Sequence, residues 1–112
     1  MSYNYSIKLM TTLTTEEKDQ LVRVASELFV KQKIELRNLD QIKTLIIEND
    51  SEWLFTGDFD KAFQKVLNQS LVEKVIVFEC RGEDGDESRE CYKKGRLPAI
   101  QHPQLLYPGL PF

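Results

Sequence analysis

Six carboxylates fall within twelve residues of this 112-residue chain: Glu79, Glu83, Asp84, Asp86, Glu87 and Glu90, with Arg81 and Arg89 interspersed. Both cysteines of the chain, Cys80 and Cys91, belong to the same stretch. Acids at this density could hold a hard cation through oxygen ligands, support a carboxylate-based enzyme site, or present a negative surface to a basic partner. The segment reads as a β-hairpin, in which consecutive residues point to opposite faces, so only alternate carboxylates converge. The spacing of an EF-hand loop is not met. The reading is therefore a solvated acidic tip with no metal, one that also guards an edge strand against pairing with strangers. The stretch carries −4 while the chain as a whole carries −3, which leaves the remainder at +1. Such a local patch attracts a basic partner surface, or imitates the phosphate spacing met by a nucleic-acid-binding protein.

Thiol and imidazole chemistry is constrained by number and place. His102 is the sole histidine and precedes Pro103 in the tail, so a triad with a histidine base would have to recruit it from an extended segment. One histidine and two cysteines cannot build a tetrahedral zinc set of the usual spacing. Neither standard Gly-rich phosphate loop occurs, and no cofactor is implied. Whether the cysteines meet depends on the turn. With Gly85-Asp86 at the turn, Cys80 faces Cys91 within disulfide reach. With Asp84-Gly85 there, Cys91 moves opposite Phe78, and a three-residue loop puts the two thiols on opposite faces. Free thiols are the expectation in a reducing compartment.

The elements that must position these groups follow from periodicity. Val75, Ile76, Val77 and Phe78 lead into the Asp84-Gly85-Asp86 turn, and the chain returns through Arg89, Cys91 and Tyr92. Ile76, Phe78 and Cys80 form the apolar alternate set that should face the core; Val75, Val77, Glu79 and Arg81 should face the open side. Upstream, Tyr3, Tyr5, Ile7 and Leu9 alternate with polar residues and predict a strand with one wet face. Thr14-x-x-Glu17 has the spacing of a capping box and opens a helix carrying Leu21, Val22, Val24, Ala25, Leu28 and Phe29 on one broad stripe, which should fade near Lys33. Residues 34–39 read as a loop, with Leu36 and Leu39 capping the core. Residues 42–47 are rich in β-branched residues, Asn49-Asp50-Ser51 is a turn, and residues 52–56 place Trp53 and Phe55 on one face, so a second hairpin is expected. Asp58 is a candidate N-cap for a helix bearing Phe59, Ala62, Phe63, Val66 and Leu67.

Strand, helix, strand, strand, helix, strand, strand predicts an α+β fold: a ferredoxin-like, split βαβ antiparallel sheet with two helices on one face and an extra edge strand. The first strand should lie centrally, beside the strand at 75–80. Residues 1–96 form the single domain. Residues 97–112 form a proline-rich tail, since all four prolines (Pro98, Pro103, Pro108 and Pro111) lie there among apolar residues. The tail is expected to be extended, packed on its own domain or on a partner. At 41% hydrophobic residues the chain has material for a core, which argues against disorder. Its negative charge argues against nucleic acid as a partner. No apolar run spans a bilayer and Met1 to Tyr5 lack signal-peptide character, so no membrane partner and a cytoplasmic location are expected.

Trp53, the helix at 58–67, Val77-Phe78, Gly82-Glu83-Asp84, Tyr92 and Lys94-Gly95 together resemble a pattern of small uncharacterised proteins of phages and bacterial mobile elements. There a Trp-bearing strand leads to a short helix, then to a strand ending in a Gly-Glu acidic turn, an aromatic residue and a glycine. Cys91-Tyr92 stands where a Trp would be expected nearby, and the tail has no counterpart in the pattern. The resemblance implies an inhibitor, an immunity factor or an accessory binding module, and it implies no catalytic activity. The functional expectation is thus a non-enzymatic protein that binds a basic protein surface through Glu83, Asp84, Asp86, Glu87 and Glu90, with Trp53 as an aromatic anchor. The alternative is a homodimeric structural or regulatory subunit, associating through the open sheet face or through Leu105, Leu106, Tyr107 and Phe112.

Overall fold

The first helix begins where its capping box predicts. In the computed structural model, which describes residues 5–32, 34–55 and 59–101 (53–55 in their backbone alone), the Thr14 N–H donates to Glu17 Oε1 at 2.9 Å. The Glu17 N–H donates in return to Thr14 Oγ1 at 3.2 Å. Helix α1 (Thr15–Gln32) follows, then α2 (Leu36–Ile47) and α3 (Phe59–Gln69). The strands are β1 (Tyr5–Leu9), β2 (Glu52–Phe55), β3 (Ile76–Gly82), β4 (Glu87–Tyr92) and β5 (Ala99–Gln101). They form one antiparallel sheet in the order β2-β1-β3-β4-β5. The chain is an α+β protein, and β1 lies beside β3 as expected.

Residues 36–47 depart from the expectation of a loop followed by a strand. Leu39, Ile42, Leu45 and Ile46 are all buried, and their spacing of three, three and one makes a single helical stripe. Dividing this stretch near residue 40 hides that stripe, because the β-branched half taken alone suits a strand. Tertiary packing of the full stripe outweighs the weak β-preference of Ile and Thr. The topological consequence is specific. In a split βαβ sheet this segment would be the outer strand parallel to β1; here it lies in the helix layer, so the split unit is incomplete. The sheet keeps three strands of that plan, β2-β1-β3, and extends past β3 by two more.

All three helices cover one face. Leu21, Val24, Ala25 and Leu28 of α1 join the α2 stripe, and Phe59, Ala62, Phe63, Val66 and Leu67 of α3 complete the layer over Ile7, Leu9, Ile76, Phe78 and Tyr92. Phe63 lies at its centre. Its ring meets Phe78 and Tyr92 edge-on, each at a centroid distance of 5.0 Å, and stacks on Phe59 at 5.7 Å. Edge-on pairs add about 0.5–1.5 kcal/mol each beyond the burial of their area.

Polar ties fix the layer to the sheet. Thr11 Oγ1 accepts from the Val77 N–H at 2.8 Å and donates to the Val75 carbonyl at 3.2 Å, prolonging the β1–β3 pairing past the end of β1. Gln64 of α3 donates to the Lys93 carbonyl at 3.1 Å, and the Gly95 N–H donates to Asn68 Oδ1 at 2.9 Å. These bonds hold the turn after β4 against α3, with Gly95 at φ +76°. β5 comes from the stretch expected to be an irregular tail; Ala99 pairs with Cys91 and Gln101 with Arg89. Residues 99–101 therefore extend the sheet beside β4. Asp58, His102 and the apolar residues from Leu105 onward lie outside the described residues.

Lys74 Nζ meets Glu17 Oε1 at 2.8 Å and also donates to the Thr12 carbonyl at 3.1 Å. The Lys74 hydrogen bond, with the Thr14 backbone, holds the Glu17 carboxyl below its ordinary range. A carboxyl depressed in the fold stabilises fully above the usual carboxylate range and loses that contribution as pH falls through its folded value. Thr14→Ala removes one half of the box and should lower the unfolding free energy by about 1 kcal/mol, read by urea denaturation at neutral pH.

Candidate functional site

The acidic hairpin is built on β3, the middle strand of the sheet. Its turn is a three-residue loop, Glu83-Asp84-Gly85, closed by the Gly82 N–H to the Asp86 carbonyl at 2.8 Å and by the Gly85 N–H to the Gly82 carbonyl at 3.1 Å. Gly85 takes φ +83°, the left-handed position that ends such loops and that a side chain strains. Of the three registers open to the sequence, the structure adopts the three-residue loop, which puts the thiols on opposite faces. Cys80 pairs with Ser88, and Cys91 pairs with Val77.

Glu83, Asp84, Asp86 and Glu87 are all exposed at the tip. Arg81, on β3 just below them, contacts Glu79 at 2.9 Å and reaches Glu87 at 3.8 Å. Pairs this exposed are screened by water and salt and contribute little to stability. Glu90 is not part of this surface. The three-residue loop sends Ser88, Glu90 and Tyr92 toward the helices, and the Tyr92 O–H donates to Glu90 Oε2 at 2.5 Å. Burial raises the Glu90 carboxyl above its ordinary value, and the Asp60 charge at the start of α3 adds to this, against the opposing Tyr92 bond. The Tyr92 phenol is in turn pushed far above its usual range, first by burial and then by the Glu90 charge.

Grouping Glu90 with the tip acids treats the whole acidic run as one surface. The clue to its true place is the alternation in β4, where Ser88-Glu90-Tyr92 ends in an aromatic residue suited to the core. The small inward polar set of Ser88, Glu90 and Tyr92, beside Cys80 and Asp60, escapes a reading by charge alone.

Both cysteines are free. Cys80 is 6% exposed on the helix side, and burial followed by the Glu90 charge pushes its thiol up to about 12. Cys91 is wholly buried on the opposite face, and burial raises its thiol also. Neither is a thiolate at neutral pH, so neither is a ready nucleophile. The face away from the helices is not uniformly wet, because Val77 as well as Cys91 is buried there. Trp53 pairs with Ile7 across β1 and β2, and its side chain lies outside the described residues, as do Leu105, Leu106, Tyr107 and Phe112.

Among the described residues no group of three Cys, His, Asp or Glu side chains is placed to hold a metal ion, and no helix is long and apolar enough to cross a membrane. What remains is a small α+β domain displaying a braced acidic turn. Compared with protein-family models, curated proteins and solved structures, the chain matches none.

Two measurements follow from the inward set. Cys80 should resist alkylation by iodoacetamide at pH 7.5 in the folded protein and react fully in denaturant, by intact mass. A carboxyl raised in the fold stabilises below the carboxylate range and loses that contribution as pH climbs through its folded value. Glu90→Gln keeps an acceptor for Tyr92, so it should match wild type in acid and exceed it in unfolding free energy at neutral pH.

Proposed function

We propose that this chain is a non-enzymatic protein-binding domain that presents Glu83, Asp84, Asp86 and Glu87 to a basic surface of another protein, in the manner of an inhibitor or immunity protein of a phage or mobile element. The observation carrying this reading is the placement of four exposed carboxylates on and beside a three-residue turn anchored by the β3–β4 ladder, which pairs Ile76–Arg81 with Glu87–Tyr92. A preformed turn has little conformational freedom left to lose on association. Its charges also steer encounter with a cationic face, an effect that weakens as salt rises. The raised thiols lend no support to cysteine chemistry. Glu90 contributes to this function by anchoring Tyr92, so the contact set is the four tip acids.

Asp84→Asn, Asp86→Asn and Glu87→Gln together neutralise the tip at exposed positions, where substitutions move stability by about 0.5 kcal/mol or less each. The triple variant should melt close to wild type, yet fail to retain the proteins that immobilised wild type captures from a host-cell lysate at low salt. Retention of the same proteins by the variant would overturn the proposal.

A further inference from the structure

The side chains of the sheet that point away from the helices divide into rows. Cross-strand pairing sets Val77 beside Cys91, and Cys91 beside Ala99. Met10, which follows β1, extends this row on the other side: its N–H donates to the Val77 carbonyl at 2.8 Å, one step beyond the pairing of Leu9 with Phe78. Met10, Val77, Cys91 and Ala99 therefore make an apolar row, about 14 Å long at about 4.8 Å per strand spacing. The next row toward the hairpin tip, Lys8, Glu79, Arg89 and Gln101, is polar. The apolar row is thus a narrow, bounded seat.

Three observations bear on what covers it. Val77 is 9% exposed and Cys91 wholly buried, yet neither belongs to the core cluster beneath the helices. A residue so buried touches about six or more others, so the outer face has a cover of its own. Next, the Cys91 thiol donates to Gln101 Oε1 at 3.8 Å, which lays the side chain of the last β5 residue on this face. The chain beyond β5 departs from the edge of the row. Lastly, residues 102–112 contain no Lys, Arg, Asp or Glu, although the chain is 29% charged, and they include Leu105, Leu106, Tyr107, Leu110 and Phe112. Such a segment gains by burial and has no charge to desolvate.

We propose that residues 102–112 dock on the outer face of their own sheet, with Leu105, Leu106 and Tyr107 seated on Val77, Cys91 and Ala99, short of the half-exposed Met10. β5 runs toward the hairpin tip, so the chain must reverse after Gln101, and Pro103 suits a turn there. A reversal over residues 101–104 leaves residues 105–112, up to about 26 Å of chain at about 3.3 Å per residue, which is enough to cross the row. A tethered segment meets its seat at an effective concentration of about millimolar, which favours it over the same segment of a second copy. The docking is separate from the acidic hairpin and does not rest on its function. Its chemical consequence is that Cys91 is kept from solvent by the chain's own tail.

Nuclear Overhauser contacts in the isotopically labelled full chain test this. Contacts from Leu105, Leu106 or Tyr107 to the Val77 methyl groups are expected. They should persist on dilution and be absent between chains in an isotope-filtered sample of mixed labelled and unlabelled protein. Thiol alkylation, followed cysteine by cysteine through peptide mass, gives a second readout. Leu105→Ser, Leu106→Ser and Tyr107→Ser together should raise the rate at which iodoacetamide modifies Cys91 by about tenfold or more, while Cys80, beneath the helices, stays as slow as in wild type. Absence of the contacts, contacts found only between copies, or a Cys91 rate indifferent to the triple substitution would overturn the proposal; contacts between copies would give the face to a second chain instead.

Discussion

The number of residues in one loop governs what lies inside this molecule. Because three residues separate Gly82 from Asp86, the side chains of β4 divide so that Ser88, Glu90 and Tyr92 point at the helices while Glu87, Arg89 and Cys91 point away. A loop one residue shorter or longer would exchange the two sets. Tyr92 would then leave the ring cluster with Phe63 and Phe78, and Arg89 would be driven toward the core. The apolar inner face of β3 makes only one parity affordable, and Gly85 makes that parity attainable. The separation of the thiols and the inward turn of Glu90 are both results of this count.

Two carboxylates in the fold have opposite relations to protons. Glu17 is braced by Lys74 and the first turn of α1, so the fold favours its charged form. Glu90 is drawn into the layer beneath α3, so the fold favours its neutral form, and Tyr92 partly compensates. As the solution is acidified one contribution fades while the other grows. The two act in adjoining windows, Glu90 above the ordinary carboxylate range and Glu17 below it, so their joint contribution passes through a maximum near that range.

Much of this was legible in residue spacing. The Thr14–Glu17 box, the α3 stripe from Phe59 to Leu67, the inward set Ile76-Phe78-Cys80 and the central place of β1 all follow from local pattern, because each is decided within a few residues. Residues 36–47 were not legible in the same way, since the stripe emerges only when Leu39 and Ile46 are considered together. Hairpin register could be narrowed to three choices and no further, as near-equal turn energies are resolved by which residues the helices bury. The start of α2, which Glu35 leaves without a side-chain cap, was hidden for the same reason as α2 itself.

The sheet order also bears on how the chain coexists with copies of itself. The segment most suited to intermolecular β-pairing is β3, seven residues long and rich in Ile, Val, Phe and Cys, and it sits in the middle with a neighbour on each side. Among the described residues the strands at the margins are β2, of four residues, and β5, of three, the latter drawn from a stretch punctuated by Pro98. Short margins offer few unpaired N–H and C=O groups as a template for a foreign strand. By adding β5, the residues after Arg96 cover the β4 flank that would otherwise lie open, and so act as a guard against aggregation within the fold itself.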